Sequence, residues 1–274
     1  MATDPRMSWE AAVQLLKHDP DSSELVESCY YDDPLLAAAD RYWQSSEWRA
    51  ARLFLPASRG SALDIGAGRG ISSYAMARDG WQVTALEPDA SAIVGAGAIR
   101  SLAAEADLPI EVIQTWGEKL PFADATFDVV HCRQALHHAR HLGQLCHEIG
   151  RVLKPGGMLI ALREHVISRQ EDLPVFLADH PLHRFYGGER AYLLREYTDA
   201  IESAGIEITR VLNPMQSNIN LFPTTLEETK ARWARRLGLP SAKWVPDALL
   251  FVRGAISNVP GRLYSFIGRR PGHG

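Results

Sequence analysis

The sequence predicts a doubly wound α/β fold with a mainly parallel sheet, N-terminal helices and an inserted cap. Short apolar segments alternate with helically periodic stretches of about 10–15 residues, the pattern of right-handed β-α-β crossovers. A glycine-rich turn, Gly66-Ala67-Gly68-Arg69-Gly70, follows the first apolar segment and opens a helix. With 274 residues, 46% of them hydrophobic, the chain can bury one large domain with an appendage.

The elements follow in order. Ser8–His18, with Ser8 as N-cap, and Pro34–Leu55 read as opening helices, the second through Leu35, Leu36, Ala39, Tyr42, Trp43 and Leu53. Ser61–Ile65 suits a buried parallel strand leading through the glycine turn into a helix from Gly70 to Arg78. Strands at Gln82–Leu86, Ile110–Gln114, Phe127–Cys132 and Met158–Leu162 then alternate with helices at Ala90–Ala104 and Leu142–Leu153. Residues 164–188 break the rhythm and read as the cap, before a helix at Glu189–Ala204 and a strand at Ile206–Val211. Past Asn213-Pro214 a helix at Leu226–Leu237 and a strand at Leu263–Ile267 are recognisable. The expected organisation is a helical segment over 1–59, a core over 60–212 with its cap at 164–188, and a basic C-terminal segment over 213–274 that completes the sheet.

The leading segment Met1–Arg6 has no apolar run behind it, and no window resembles a membrane span, so a soluble cytoplasmic protein is the expectation. Cys29, Cys132 and Cys146 are odd in number and scattered, which fits reduced thiols and argues against a thiolate metal site. The net charge of -4 conceals an asymmetry: residues 1–229 hold 20 Lys+Arg against 32 Asp+Glu, whereas residues 230–274 hold 9 against 1. Such a tail either attracts an anionic partner or packs against the acidic body.

Glycine lets a backbone approach a ligand closely, and a strand-turn-helix setting is what a nucleotide loop requires. Here the spacing is GxGxG rather than GxGxxG, and Asp64 stands two positions before Gly66. A carboxylate there would serve a pyrophosphate poorly and a cationic ammonium or sulfonium well. Glu87 ends the second strand, where a carboxylate can accept hydrogen bonds from both ribose hydroxyls.

Over residues 60–165 the chain resembles the class I S-adenosylmethionine-dependent methyltransferases, in particular the small-molecule branch that includes the ubiquinone and menaquinone biosynthesis C-methyltransferases. The resemblance rests on Leu63-Asp64-Ile65-Gly66-Ala67-Gly68-Arg69-Gly70, Leu86-Glu87-Pro88, Gly117-Glu118-Lys119-Leu120-Pro121-Phe122, Phe127-Asp128-Val129-Val130, Ala135-Leu136-His137-His138 and Arg151-Val152-Leu153-Lys154-Pro155-Gly156-Gly157. It implies a Rossmann-like core and S-adenosylmethionine as cofactor. By resemblance Asp64, Gly66, Ala67, Gly68 and Gly70 line the methionine and ribose portion, Glu87 with Pro88 takes the ribose, and Gly117-Glu118 border the adenine. Cys132 and Arg133, just past the fourth strand, are expected to face the methionine end. Where the family often has an Asp, this chain has Trp116, which either covers the adenine edge or simply packs.

His131, His137, His138 and His141 invite a metal reading, but no carboxylate set stands near them in sequence, and no metal is expected. His138 either orients or deprotonates the acceptor or is a packed loop histidine. Glu164 and His165, after the fifth strand, are the next candidates for a general base. In the cap, Asp179-His180-Pro181-Leu182-His183-Arg184-Phe185-Tyr186 mixes groups suited to a substrate pocket or to a polar surface loop, with Gly187-Gly188 as a hinge. Tyr30, Tyr31 and Tyr42 are candidates for a further wall.

Residues 230–237 form an amphipathic basic helix that braces the core or makes weak contact with an anionic surface. The function expected is methyl transfer to oxygen, nitrogen or carbon of a small-molecule acceptor, an anionic one included, with nucleic acid disfavoured. The alternatives are a non-catalytic cofactor-binding or partner-binding protein on the same fold and, behind it, a nicotinamide-dependent oxidoreductase.

Overall fold

Strand β1 (Ser61–Ile65) lies near the middle of an eight-stranded sheet, and its continuous apolar run is explained by helices on both faces. The computed structural model describes residues 7–272, so the leading segment Met1–Arg6 read above lies outside the described residues. Helices α1 (Trp9–His18), α2 (Ser23–Ser28), α3 (Leu35–Gln44) and α4 (Ser46–Ala51) precede β1. Then come α5 (Ile71–Arg78), β2 (Gln82–Leu86), α6 (Ala96–Glu105), β3 (Ile110–Ile113), β4 (Phe127–Arg133), α7 (Leu142–Val152) and β5 (Leu153–Ile167). The chain continues through α8 (Leu173–Asp179), α9 (His183–Tyr186), β6 (Tyr192–Leu193), α10 (Leu194–Ser203) and β7 (Glu207–Leu212). It ends with α11 (Asn218–Leu221), α12 (Leu226–Arg236), α13 (Asp247–Ala255) and β8 (Arg262–Arg269).

The strand order is β3-β2-β1-β4-β5-β8-β7, with β6 paired to β5. All pairings are parallel except β5 with β8 and β8 with β7. From β1 the chain moves outward to β2 and β3, then returns to the other side at β4. The crevice at such a reversal, beyond the carboxyl ends of the strands, is where open α/β sheets bind ligands. Side chains alternate across the sheet: Leu63, Val130 and Leu159 join one apolar cluster with Ile149 and Tyr197, while Ala62, Val129 and Ile160 join another with Tyr42, Trp48 and Tyr74.

Several boundaries differ from the sequence expectation. The helix expected over Pro34–Leu55 is broken at Ser45, which is extended and caps α4 by accepting from the Trp48 amide at 3.0 Å. The helix expected from Ala90 starts at Ala96, because the Ser91 hydroxyl accepts the Ile93 and Val94 amides and holds a turn instead. β5 does not stop at Leu162: it runs to Ile167 by pairing with β8, so Glu164 and His165 are strand residues rather than the start of a cap. The helix expected from Glu189 begins at Leu194, because Tyr192 and Leu193 pair with Val166 and Ile167.

Helices α12 and α13 pack around Ala234, Val245 and Leu250, leaving Trp244 and Ile256 exposed. Among the described residues no helix is long and apolar enough to cross a membrane.

Candidate active site

Asp64 and His131 are register partners across the β1–β4 reversal. Both side chains are buried, and Asp64 Oδ1 lies 2.8 Å from His131 Nδ1 while Oδ2 accepts from the Ser73 hydroxyl at 2.6 Å. Asp64 is thus fixed at the floor of the crevice by two partners from neighbouring elements.

The glycine turn adopts left-handed backbone at Gly66, Gly68 and Gly70, with φ of 66, 54 and 85°. A Cβ on Gly66 would also stand 2.8 Å from that of Ala135. Backbone amides of Gly66 and Ala67 donate to the Leu86 carbonyl at 2.9 and 3.2 Å, tying the turn to β2. Glu87, the next residue, accepts from the Gly68 amide at 2.8 Å and the Asp89 amide at 2.9 Å. Burial raises the Glu87 carboxyl to about 7 against the opposing pull of these amides. Arg69, given no role by the sequence reading, is buried and donates to the carbonyls of Tyr30 and Asp32 and to Asp33 Oδ1. It pins the segment after α2 over the turn.

A cavity of about 550 Å³ opens above this floor. Asp64, Gly66, Ala67, Gly68, Glu87, Pro88, Trp116, Arg133, His138 and His165 all line it. Trp116 is half exposed at one end, with the Arg140 guanidinium 4.4 Å from its ring centre. Tyr30 and Tyr31 line the cavity, whereas Tyr42 is sealed in the core beside Trp48. Trp9 of α1 meets Tyr186 of α9 edge-on at 4.7 Å and closes the roof.

Five expected residues stand behind the lining. Gly70 is the N-cap residue of α5, and a Cβ on Gly117 would come within 2.6 Å of Leu145 Cδ1. Glu118 accepts from the Arg140 amide at 2.8 Å. Cys132 is inside β4, not beyond it, and fully buried in the core, where burial raises its thiol well above its ordinary value. Arg133, the last residue of β4, reaches the cavity, but its guanidinium is bidentate to buried Glu47 at 2.6 and 3.0 Å. The fifth, Glu164, is completely buried: Oε1 accepts the Ala135 and Leu136 amides, and Oε2 the His137 amide, each at 3.1 Å, with His137 Nδ1 at 2.7 Å. Its contacts build the turn after β4, and it is not among the residues lining the cavity.

Histidines of the cavity wall converge on Glu189. His137 Nε2 lies 3.5 Å from Glu189 Oε2, and His138 Nε2 and His180 Nε2 each lie 3.9 Å from it. Burial opposes charge on His137, but Glu164 and Glu189 outweigh it and raise the imidazole to about 9. Burial and the neighbouring His137 push His138 down to about 4, so it is neutral at pH 7. His165 Nδ1 donates to the Gly261 carbonyl at 2.8 Å, and burial with His137 holds its pKa well below the ordinary value. Burial would raise Glu189, yet His137, His138 and His180 together hold it well below the usual carboxylate range. Glu189 has no role in the sequence reading and His137 enters it only as a metal candidate set aside, since positions 137, 165, 180 and 189 share no spacing pattern and meet only through the fold.

Residues 63–161 match the family model described as "Methyltransferase domain". The chain is 31% identical over 143 residues to a ubiquinone biosynthesis O-methyltransferase of Xanthomonas campestris pv. campestris (strain B100), covering 46% of this chain and 57% of that protein. To the enzyme of the same name from Methylobacterium nodulans it is 32% identical over 164 residues, 58% of this chain and 65% of that protein. The chain thus spans little more than half the length of these relatives. Geranyl diphosphate C-methyltransferase from Streptomyces coelicolor A3(2) shares the fold with a TM-score of 0.58 at 16% identity, over 95% of this chain and 84% of that one. The [4+2]-cyclase SpnF shares it with a TM-score of 0.57 at 22% identity, over 86% of this chain and 82% of that one. With the GxGxG turn, the Glu87 carboxylate and the strand reversal in one crevice, the chain carries a class I S-adenosylmethionine-dependent methyltransferase domain.

Proposed function

We propose that the protein moves a methyl group from S-adenosylmethionine to oxygen, nitrogen or carbon of a small-molecule acceptor enclosed beneath residues 168–191. The observation that carries this reading is one cavity lined both by the Gly66–Gly68 turn with Glu87 and by the histidine group around Glu189. The cavity suits the cofactor: a Cβ on Gly68 would meet nothing within 4 Å, so backbone is open to a ligand there. Glu87 supplies acceptor oxygens for ribose hydroxyls, and the Trp116 ring offers an apolar face to a base.

S-adenosylmethionine supplies a methyl carbon already activated by its sulfonium. The acceptor's lone pair forms the new bond to that carbon as the carbon–sulfur bond breaks and its electron pair goes to sulfur. The chain's contribution is placement of the two reactants in line and exclusion of water by the α1–α9 roof. His138, neutral at pH 7 and partly open to the cavity, takes the acceptor's proton where one must leave. Glu164 positions the 135–137 turn and through it His138.

Titration calorimetry with S-adenosylhomocysteine and with NADH tests the cofactor assignment. Binding of the first and not the second is expected, and binding of NADH alone would overturn it. A methyl-transfer screen over hydroxylated, amine and carbon-acid acceptors tests the reaction. Cofactor binding without turnover on any acceptor would favour the non-catalytic reading.

A further inference from the structure

The histidine end of the cavity is built like a metal site. One ligand atom each from His137, His165 and Glu189 lie within 4.8 Å of one another, and all three residues are buried. The imidazoles are oriented from behind: His137 Nδ1 faces Glu164 Oε2 at 2.7 Å, and His165 Nδ1 donates to the Gly261 carbonyl at 2.8 Å. Hydrogen bonding of one ring nitrogen to a carboxylate or backbone carbonyl is what fixes a metal-bound histidine and leaves its other nitrogen as the ligand.

The carboxylates flank this group. Glu164 and Glu189 are both buried, on opposite sides of the His137 ring. Apart from the histidines, Glu189 has the Tyr186 hydroxyl, 3.3 Å from Oε1. His180 adds a ring whose Nε2 is 3.9 Å from Glu189 and whose buried Nδ1 has no hydrogen-bond partner.

We propose that His137 Nε2, His165 Nε2 and a Glu189 carboxylate oxygen bind one divalent transition-metal ion. Two imidazoles and one carboxylate suit zinc or iron(II) and leave coordination positions open. Bonds of about 2.0–2.1 Å require the ligand atoms to draw closer together than they stand here. Because these residues line the cavity, the open position faces the acceptor's space. An oxygen donor of the acceptor, a hydroxyl or a carboxylate, binds there and is held toward the methyl group, a step that rests on the methyl-transfer reading, whereas the metal site does not.

The test is a Co²⁺ titration of the full chain after removal of metal by a chelator, followed by visible absorption and calorimetry. One equivalent of Co²⁺, with a d–d band displaced by Zn²⁺, is expected. Glu189→Gln and His165→Ala should weaken uptake at least about tenfold, while His147→Ala, on the exposed face of α7, should not. Each variant is titrated with S-adenosylhomocysteine as the check on folding. No stoichiometric uptake by the wild type, or unchanged uptake by either ligand variant, overturns the site and leaves a protonated His137 as the bridging charge. Failure of the methyl-transfer reading shows separately, as absence of adenosylhomocysteine binding with cobalt binding intact.

Discussion

The Gly68 amide donates to Glu87 Oε2 at 2.8 Å, so the loop of one crossover is held by the carboxylate that ends the neighbouring strand. Glu87→Ala removes this tie together with the carboxylate proposed to accept from the ribose. Affinity for S-adenosylhomocysteine is expected to fall by about 1–3 kcal/mol, read by calorimetry; unchanged affinity would contradict the assignment.

The raised Glu87 pKa also predicts a pH dependence with a definite sign. The folded protein holds the proton up to about 7, while the unfolded chain releases it near the ordinary value of 4.5. Between these values the folded state binds more protons, so this group's contribution to stability is greatest at low pH and declines as pH rises. Cofactor affinity moves oppositely, because ribose hydroxyls need the ionised acceptor. Adenosylhomocysteine affinity should weaken up to about tenfold from pH 8 to pH 6. In Glu87→Gln both trends should flatten, and a slope that survives there would assign the titration elsewhere.

Gly66→Ala combines a φ of +66° with a Cβ contact of 2.8 Å to Ala135. A loss of about 1–3 kcal/mol in stability is expected by denaturant titration, with weakened cofactor binding. Gly68→Ala, with open space at its Cβ, should lose less, and the reverse order would show that the turn is held otherwise.

Glu47 is fully buried with Arg133 bidentate on it and Arg163 Nη1 3.9 Å away. Glu47→Ala leaves buried guanidinium charge uncompensated and should cost about 3–5 kcal/mol. Although burial opposes it, Arg133 and Arg163 hold the Glu47 carboxyl below its ordinary value. The carboxyl's contribution is therefore present above about pH 4.5 and lost as pH falls through the lowered folded value. Equal wild-type and variant stabilities at pH 7 would refute the charge argument.

His138→Ala should lower kcat about 100-fold or more for a protic acceptor, with adenosylhomocysteine affinity retained. For a substrate whose nucleophile carries no proton the same variant should turn over nearly as wild type. Equal losses on both would make His138 a positioning residue.

Local pattern determined much of this protein. Apolar runs such as Leu63–Ile65 and the GxGxG spacing that follows depend on neighbours in the chain, and they gave the strand-turn-helix order, the crevice edge and the cofactor class. Glu87 was legible for the same reason: a residue at the end of a strand beside a glycine turn has little freedom of placement. Helices α8, α9 and α11 span too few turns for periodicity to reveal them. The extension of β5 to Ile167 was hidden because its partner, β8, is about a hundred residues away. Only the tertiary structure showed that Glu164 is buried and accepts the amides of the 135–137 turn, that Arg69 fastens the N-terminal segment, and that Glu189 meets His137, His165 and His180. These contacts join residues from separate strands and the cap, and their chemistry arises from burial and proximity across the fold, which no spacing along the chain encodes.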